Sequence, residues 1–150
     1  MEVNDDELHS QINVKLNVVN VKISRQIGQA VQAKANLRLP EWRIISLLSS
    51  SGPMSQAAIR GTIGGMDKGQ ISRTVKTMLE NDLLRFDGPQ GQARNVRLCL
   101  TENGVEIHTR VNAMMEKHKE QVLSLLSRED KQSLYNNLVQ IEKSLDNFHS

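Results

Sequence analysis

Lys68, Gln70, Arg73, Thr74 and Thr77 are the residues of this 150-residue chain whose types and spacing carry the clearest chemistry. Around them Ile71, Val75, Met78 and Leu79, continued by Leu83, recur every three or four residues. That period predicts a helix with one apolar face, and it places the cation, amide and hydroxyl side chains opposite. No carboxylate follows Asp67 until Glu80. An arginine fork matches the two acceptors on the major-groove edge of guanine, and a glutamine carboxamide matches adenine. Gln70, Arg73 and Thr74 are therefore candidates for base edges, with Lys68, Ser72, Lys76 and Thr77 candidates for phosphates. The plain alternative is an amphipathic surface helix, with Arg73 tied up in a salt bridge inside its own lobe.

Catalytic chemistry is poorly supplied by comparison. His9, His108, His118 and His149 are scattered and show no i,i+4 pairing of metalloenzyme type. Gly61-Thr62-Ile63-Gly64-Gly65 lacks the Lys-Ser/Thr of a phosphate loop. Cys99 is the only cysteine, which excludes an intramolecular disulfide and a thiolate zinc site. It has two readings, an oxidation sensor or a packed residue in a strand. The expectation is no enzyme, no cofactor and no metal.

The elements that must position these side chains follow from caps and periods. Leu8, Ile12, Leu16, Val19, Ile23, Ile27 and Ala30 form one helical stripe, and Val14, Val18 and Val21 form a second. A helix apolar on two sides must pack against more than one partner. Residues 2–7 are acidic and expected to fray. Leu39-Pro40-Glu41-Trp42 opens a second helix, with Pro in the first turn and Glu near the positive end of the dipole. Ser55 caps a short helix that buries Ala58, Ile59 and Ile63, and Ser55 and Gln56 are phosphate candidates at its N-terminus. Gly64-Gly65 makes a turn and Asp67 caps the next helix, which together form a helix-turn-helix.

Leu83-Leu84-Arg85-Phe86 and Asn95-Val96-Arg97-Leu98-Cys99-Leu100 read as two strands around the turn-rich segment Asp87 to Ala93. The hairpin carries Arg85, Arg94 and Arg97. Beside a helix-turn-helix it is a wing, with Arg94 the minor-groove candidate, Arg97 a phosphate or structural contact, and Arg85 structural. Thr101 caps a long helix, and Ser127 with Asp130 marks the start of the last one.

Charge follows the same plan. From Arg38 to Leu98 there are nine Lys and Arg against five Asp and Glu, whereas the flanks hold ten against twelve. A basic middle between acidic flanks suits a nucleic-acid reader between non-binding elements. The hydrophobic fraction of 38% with 3% aromatics is low for a self-contained globule, so a second subunit is expected to complete the apolar surface. There is no charged-then-apolar leader and no apolar run near the roughly 18 residues of a membrane span, so a cytoplasmic protein is expected.

These pieces together resemble the MarR family of winged helix-turn-helix transcriptional regulators. The likeness rests on Leu39-Pro40-Glu41-Trp42-Arg43-Ile44-Ile45, Ser55-Gln56, Asp67-Lys68-Gly69-Gln70-Ile71-Ser72-Arg73, Leu79-Glu80-Asn81-Asp82-Leu83-Leu84-Arg85, Arg94, and Leu100-Thr101-Glu102-Asn103-Gly104, in that order. Gln92 stands where the family's wing tip usually has Asp, and the segment from Ser55 to Asp67 is one residue longer than usual. The resemblance implies a mainly α fold with a small β-hairpin wing. It comprises one domain, with a winged lobe at about 38–100 and dimerisation helices at about 8–36 and 102–149. It implies a homodimer on a roughly palindromic duplex operator, usually a repressor, released by a small aromatic or phenolic effector. The effector pocket would be lined by the first, second and fifth helices with Trp42 as a wall. Two alternatives stand beside it: a winged-helix module that binds protein rather than DNA, and a cysteine-based redox regulator.

Overall fold

The structure, a computed structural model, describes residues 4–88 and 96–147. The elements in order are α1 (Asp5–Ala35), α2 (Leu39–Ser51), β1 (Met54–Ser55), α3 (Gln56–Thr62), α4 (Lys68–Glu80), β2 (Leu84–Asp87), β3 (Arg97–Leu100), α5 (Glu102–Leu123) and α6 (Arg128–Asn147). They fall into two compact units, Met1–Asn112 and Ala113–Ser150, with the boundary inside α5. The expected mainly α fold with a small sheet is what forms. No described helix is long and apolar enough to cross a membrane.

In the first unit α2 is the hub, packed on α1, α4 and β3. Its Ile44, Ile45 and Leu48 are buried together with Val31, Ile59, Ile71, Met78 and Val111. α2 starts on a one-sided cap supplied by Glu41. The buried Glu41 carboxylate accepts from the Arg38 backbone N–H at 2.7 Å and from the Arg38 guanidinium at 2.8 and 3.1 Å. Arg43 donates to Ser24 Oγ at 3.3 Å, tying α2 to α1.

α1 begins earlier than expected. Residues 5–7 are not frayed: the Asn4 side chain accepts from the Glu7 N–H at 2.9 Å, and Asp5, Asp6 and Glu7 sit in the first turn. Acids there are favoured by the helix dipole, so charge that reads as solubilising in the sequence is a start signal. Asn36 ends α1 with φ +54°, a left-handed value that Asn tolerates better than most residues. Along α1, Leu8, Ile12, Leu16 and Val19 remain exposed, as do Val14, Val18 and Val21.

The sheet has three strands in the order β1-β3-β2, all antiparallel. Only two were expected. β1 is the two-residue Met54–Ser55 stretch ahead of α3, pairing Met54 with Leu98 and Ser55 with Arg97. β2 pairs Arg85 with Cys99 and Asp87 with Arg97.

In the second unit Ser127 and Asp130 form the expected reciprocal cap of α6. Ser127 Oγ accepts from the Asp130 N–H at 3.1 Å, and the Ser127 N–H donates to the Asp130 carboxylate at 3.3 Å. Leu134, Leu138, Ile141 and Leu145 line one exposed face of α6.

Candidate nucleic-acid interface

α4 is built by its cap and its stripe. The Asp67 carboxylate accepts from the Gln70 N–H at 2.8 Å, and the Gln70 side-chain oxygen accepts from the Asp67 N–H at 3.1 Å. This capping box satisfies two otherwise unpaired donors. Ile71, Val75 and Met78 are buried to 4% exposure or less. At the far end Asp82 has φ +54°, the Leu83 N–H donates to the Met78 carbonyl at 2.9 Å, and the Asp82 N–H donates to the Leu79 carbonyl at 3.3 Å. That is a Schellman ending, with the buried Leu83 as its apolar anchor.

Lys68, Gln70, Ser72, Arg73 and Lys76 lie exposed on α4. Two expectations for this face need correction. Thr74 is not on it, being only 6% exposed. It lies three residues after Ile71 and four before Met78, so it falls within the buried stripe despite its hydroxyl. Thr77 is half-buried, and its Oγ1 donates to the Arg73 carbonyl at 3.1 Å, a local back-bond that uses its proton. Gln70 stays exposed, but its carboxamide oxygen serves the cap. Arg73 makes no ion pair among the described residues, so the salt bridge weighed as its alternative role does not form there. Lys76 faces Glu80 at 3.9 Å with both side chains largely exposed, a pairing worth little.

The flanking elements converge on the same region. Ser55 Oγ caps α3 by accepting from the Ala58 N–H at 3.1 Å, and Ser55 also pairs in the sheet with Arg97. Arg97 forms an ion pair with Asp87 at 2.9 Å across β2 and β3. Gln56 is half-buried at the first position of α3. Arg85 reaches the Phe86 carbonyl at 3.4 Å. Arg94 lies outside the described residues. Cys99 is buried, with Sγ 3.7 Å from the Arg85 carbonyl.

A dense junction joins the exit of β3 to the end of α4. Thr101 Oγ1 donates to the Asp82 carbonyl at 2.6 Å and accepts the Gly104 N–H at 3.0 Å. Asn103 donates to the same Asp82 carbonyl at 3.3 Å, and the Thr101 N–H donates to the Leu83 carbonyl at 3.2 Å. Gly104 is required by close approach, because a Cβ there would stand 2.4 Å from the Leu83 carbonyl oxygen. Thr101, Asn103 and Gly104 of the Thr101-Glu102-Asn103-Gly104 run are thus each explained by what they touch.

Away from this face, Trp42 is buried and stacks on His108, with ring centroids 5.5 Å apart and planes 15° from parallel. His108 Nδ1 lies 3.1 Å from Ser49 Oγ, and burial lowers the histidine's pKa below the ordinary imidazole value. The sequence could not show this pairing, because Trp42 and His108 lie far apart in the chain. Among the described residues no group of three or more His, Cys, Asp or Glu could hold a metal ion.

A short helix, a turn, a capped second helix and an antiparallel sheet tied to both define a winged helix-turn-helix protein. No family model matches the sequence, and no curated protein matches it either. Solved structures do. A MarR/EmrR family transcriptional regulator from Acinetobacter sp. ADP1 is 28% identical with a TM-score of 0.83, over 97% of this chain and 99% of that one. A MarR family transcriptional regulator from Silicibacter pomeroyi DSS is 22% identical with a TM-score of 0.80, over 94% and 93%. The Staphylococcus aureus MarR in complex with salicylate and kanamycin is 22% identical with a TM-score of 0.77, over 93% of both chains. The chain therefore has the winged helix-turn-helix fold of these regulators and is similar to the Acinetobacter protein over nearly its whole length.

Proposed function

We propose that this protein is a MarR-family transcriptional regulator, a homodimer that reads a roughly palindromic duplex operator through α4 and represses the adjacent genes. The observation that carries this reading is the exposed face of α4. Lys68, Gln70 and Arg73 stand there with no acid between Asp67 and Glu80, on a helix fixed at both ends by its caps. Arg73 and Gln70 are the base-reading residues, with Gln70 offering its amide hydrogens because its oxygen is held by the cap. Lys68, Ser72 and Lys76 take phosphates, together with Ser55 and Gln56 at the start of α3. Arg97, paired with Asp87, steadies the wing, and Arg94 at the wing tip is the minor-groove contact.

The exposed apolar stripes of α1 and α6 are the surfaces a second copy would cover, since patches this extended rarely face water in a monomer. A small aromatic acid is the effector class we infer, supported by the salicylate complex of the Staphylococcus aureus MarR. Burial of Cys99 supports a packing role for its thiol over peroxide sensing. Gel shift against duplex DNA at two salt concentrations tests the core of the reading. Affinity that falls steeply with salt, with a residual preference for selected sequences, is expected. Absence of salt-sensitive duplex binding would leave a protein-binding winged helix instead.

A further inference from the structure

We infer, on the reading of α4 as the base-reading helix, that its capping box makes Gln70 specify guanine and reject adenine. A free glutamine carboxamide matches adenine, because its oxygen accepts from the N6 amino group while its nitrogen donates to N7. Gln70 is not free. Its Oε1 accepts the Asp67 backbone N–H at 3.1 Å, and its own backbone N–H donates to the Asp67 carboxylate at 2.8 Å. Chemistry alone decides which carboxamide atom sits at that contact. A backbone N–H only donates and a carboxamide NH2 does not accept, so the oxygen must face Asp67. The carboxamide is planar, with oxygen and nitrogen on opposite sides of Cδ. An oxygen turned back to the helix N-terminus leaves the NH2 turned outward. Gln70 is exposed, and among the described residues nothing accepts from that NH2.

The base edges then separate. Guanine presents N7 and O6, two acceptors and no donor, to the two hydrogens of one NH2. Adenine would set its N6 amino group against the Gln70 NH2, donor against donor. Thymine offers a single acceptor beside its methyl group. Taking adenine in the bidentate way requires opening the box. The Asp67 N–H would then be released at an interface that sheds water, where an unpaired donor is costly. A lost hydrogen bond of ordinary strength handicaps adenine by roughly fivefold to tenfold. Guanine is taken with the box intact. The box that starts α4 is thus also what selects the base.

The test uses Gln70→Glu and Gln70→Ala in the full-length protein, with circular dichroism to verify folding. Gln70→Glu keeps the box, since a carboxylate oxygen accepts from the Asp67 N–H, but it has no hydrogen to donate. Wild type first selects sites from a randomised duplex library. Competition binding with each single base-pair change then measures discrimination for all three proteins. The base pair that Gln70 reads is the one at which Gln70→Ala loses discrimination. Wild type is expected to prefer a G·C pair over an A·T pair there by roughly tenfold. Gln70→Glu should lose that preference as fully as Gln70→Ala, because its oxygens would face N7 and O6. Binding of Gln70→Ala to unrelated duplex at low salt should change less than about twofold, since phosphate contacts carry it. A wild-type preference for A·T at that pair, in either orientation, overturns the inference. So does a G·C preference that Gln70→Glu retains, or a Gln70→Ala variant that weakens all duplexes equally or none. Failure of wild type to select any sequence is a separate result, which removes the DNA reading itself and this inference with it.

Discussion

α1 and α4 each present a face to water, and the two faces are chemical opposites. On α4 the exposed side chains ahead of Glu80 are Lys68, Gln70, Ser72, Arg73 and Lys76, all able to donate hydrogen bonds. On α1, Leu8, Ile12, Leu16 and Val19 stand exposed on one side, and Val14, Val18 and Val21 on another, with Val14 at 58% exposure. The α4 face is stable in water and complementary to a polyanion. The α1 faces carry an unmet hydrophobic term of about 25 cal/mol per Å2 until a partner covers them. One helix is thus complete as a folded object and incomplete only as a reader. The other is incomplete as structure. If α1 is covered by a second copy and α4 reads DNA, as proposed, assembly and recognition fall to separate helices and can be broken separately.

The largest break is on the α1 side. Leu16→Glu places a charge in the exposed stripe and should convert a dimer to monomers in sedimentation velocity. Operator affinity should fall by on the order of a hundredfold through lost avidity, while the circular dichroism of the lobe is retained. A variant that still sediments at twice the chain mass would show that α1 is not the assembly surface. Next in size, Gly104→Ala forces a Cβ to within 2.4 Å of the Leu83 carbonyl, where backbone must move. Urea denaturation should show a loss of about 1–3 kcal/mol. An unchanged urea midpoint would mean that the junction relaxes freely.

Asp67→Ala removes the N-cap of α4 and half of its capping box. A loss of about 1 kcal/mol is expected, with Asp67→Asn costing much less because Asn caps nearly as well. The smallest effect concerns pH. Burial lowers the His108 pKa below the ordinary imidazole value of 6.5, so as pH falls through that value the unfolded chain binds a proton that the folded chain resists. Stability should therefore decline as pH falls through 6.5 and be unaffected by this group above it. His108→Phe keeps an aromatic ring at the stack and should show a shallower acid-side decline in urea midpoint. Equal slopes for both proteins would remove His108 as the cause.

Much of this was legible in the sequence because it is local. The caps at Ser55, Asp67, Thr101 and Ser127 are each read from one hydroxyl or carboxylate and the amide three residues on. The period of α4 is read from four apolar residues. The Thr74 hydroxyl reads as polar-face chemistry, but its spacing to Ile71 and Met78 places it within the buried stripe. The Asp67–Gln70 box fits the same local pattern and limits what Gln70 can offer a base. β1 was not legible at all: two residues have no period, and Met54–Ser55 become a strand only because β3 pairs with them from more than forty positions away. The Trp42–His108 stack is hidden for the same reason.

The junction at Asp82 and Leu83 has a mechanical meaning. Two consecutive carbonyls receive the Thr101 hydroxyl, the Asn103 amide and the Thr101 N–H, while Gly104 presses against the second of them. Such a corner is welded rather than hinged. The last turn of α4 and the first turn of α5 are joined as one lever, and any pivot that re-aims α4 has to lie away from the contacts of Asp82 and Leu83 with Thr101, Asn103 and Gly104. A displacement imposed on the first turn of α5 is then delivered to α4 as rotation without slack.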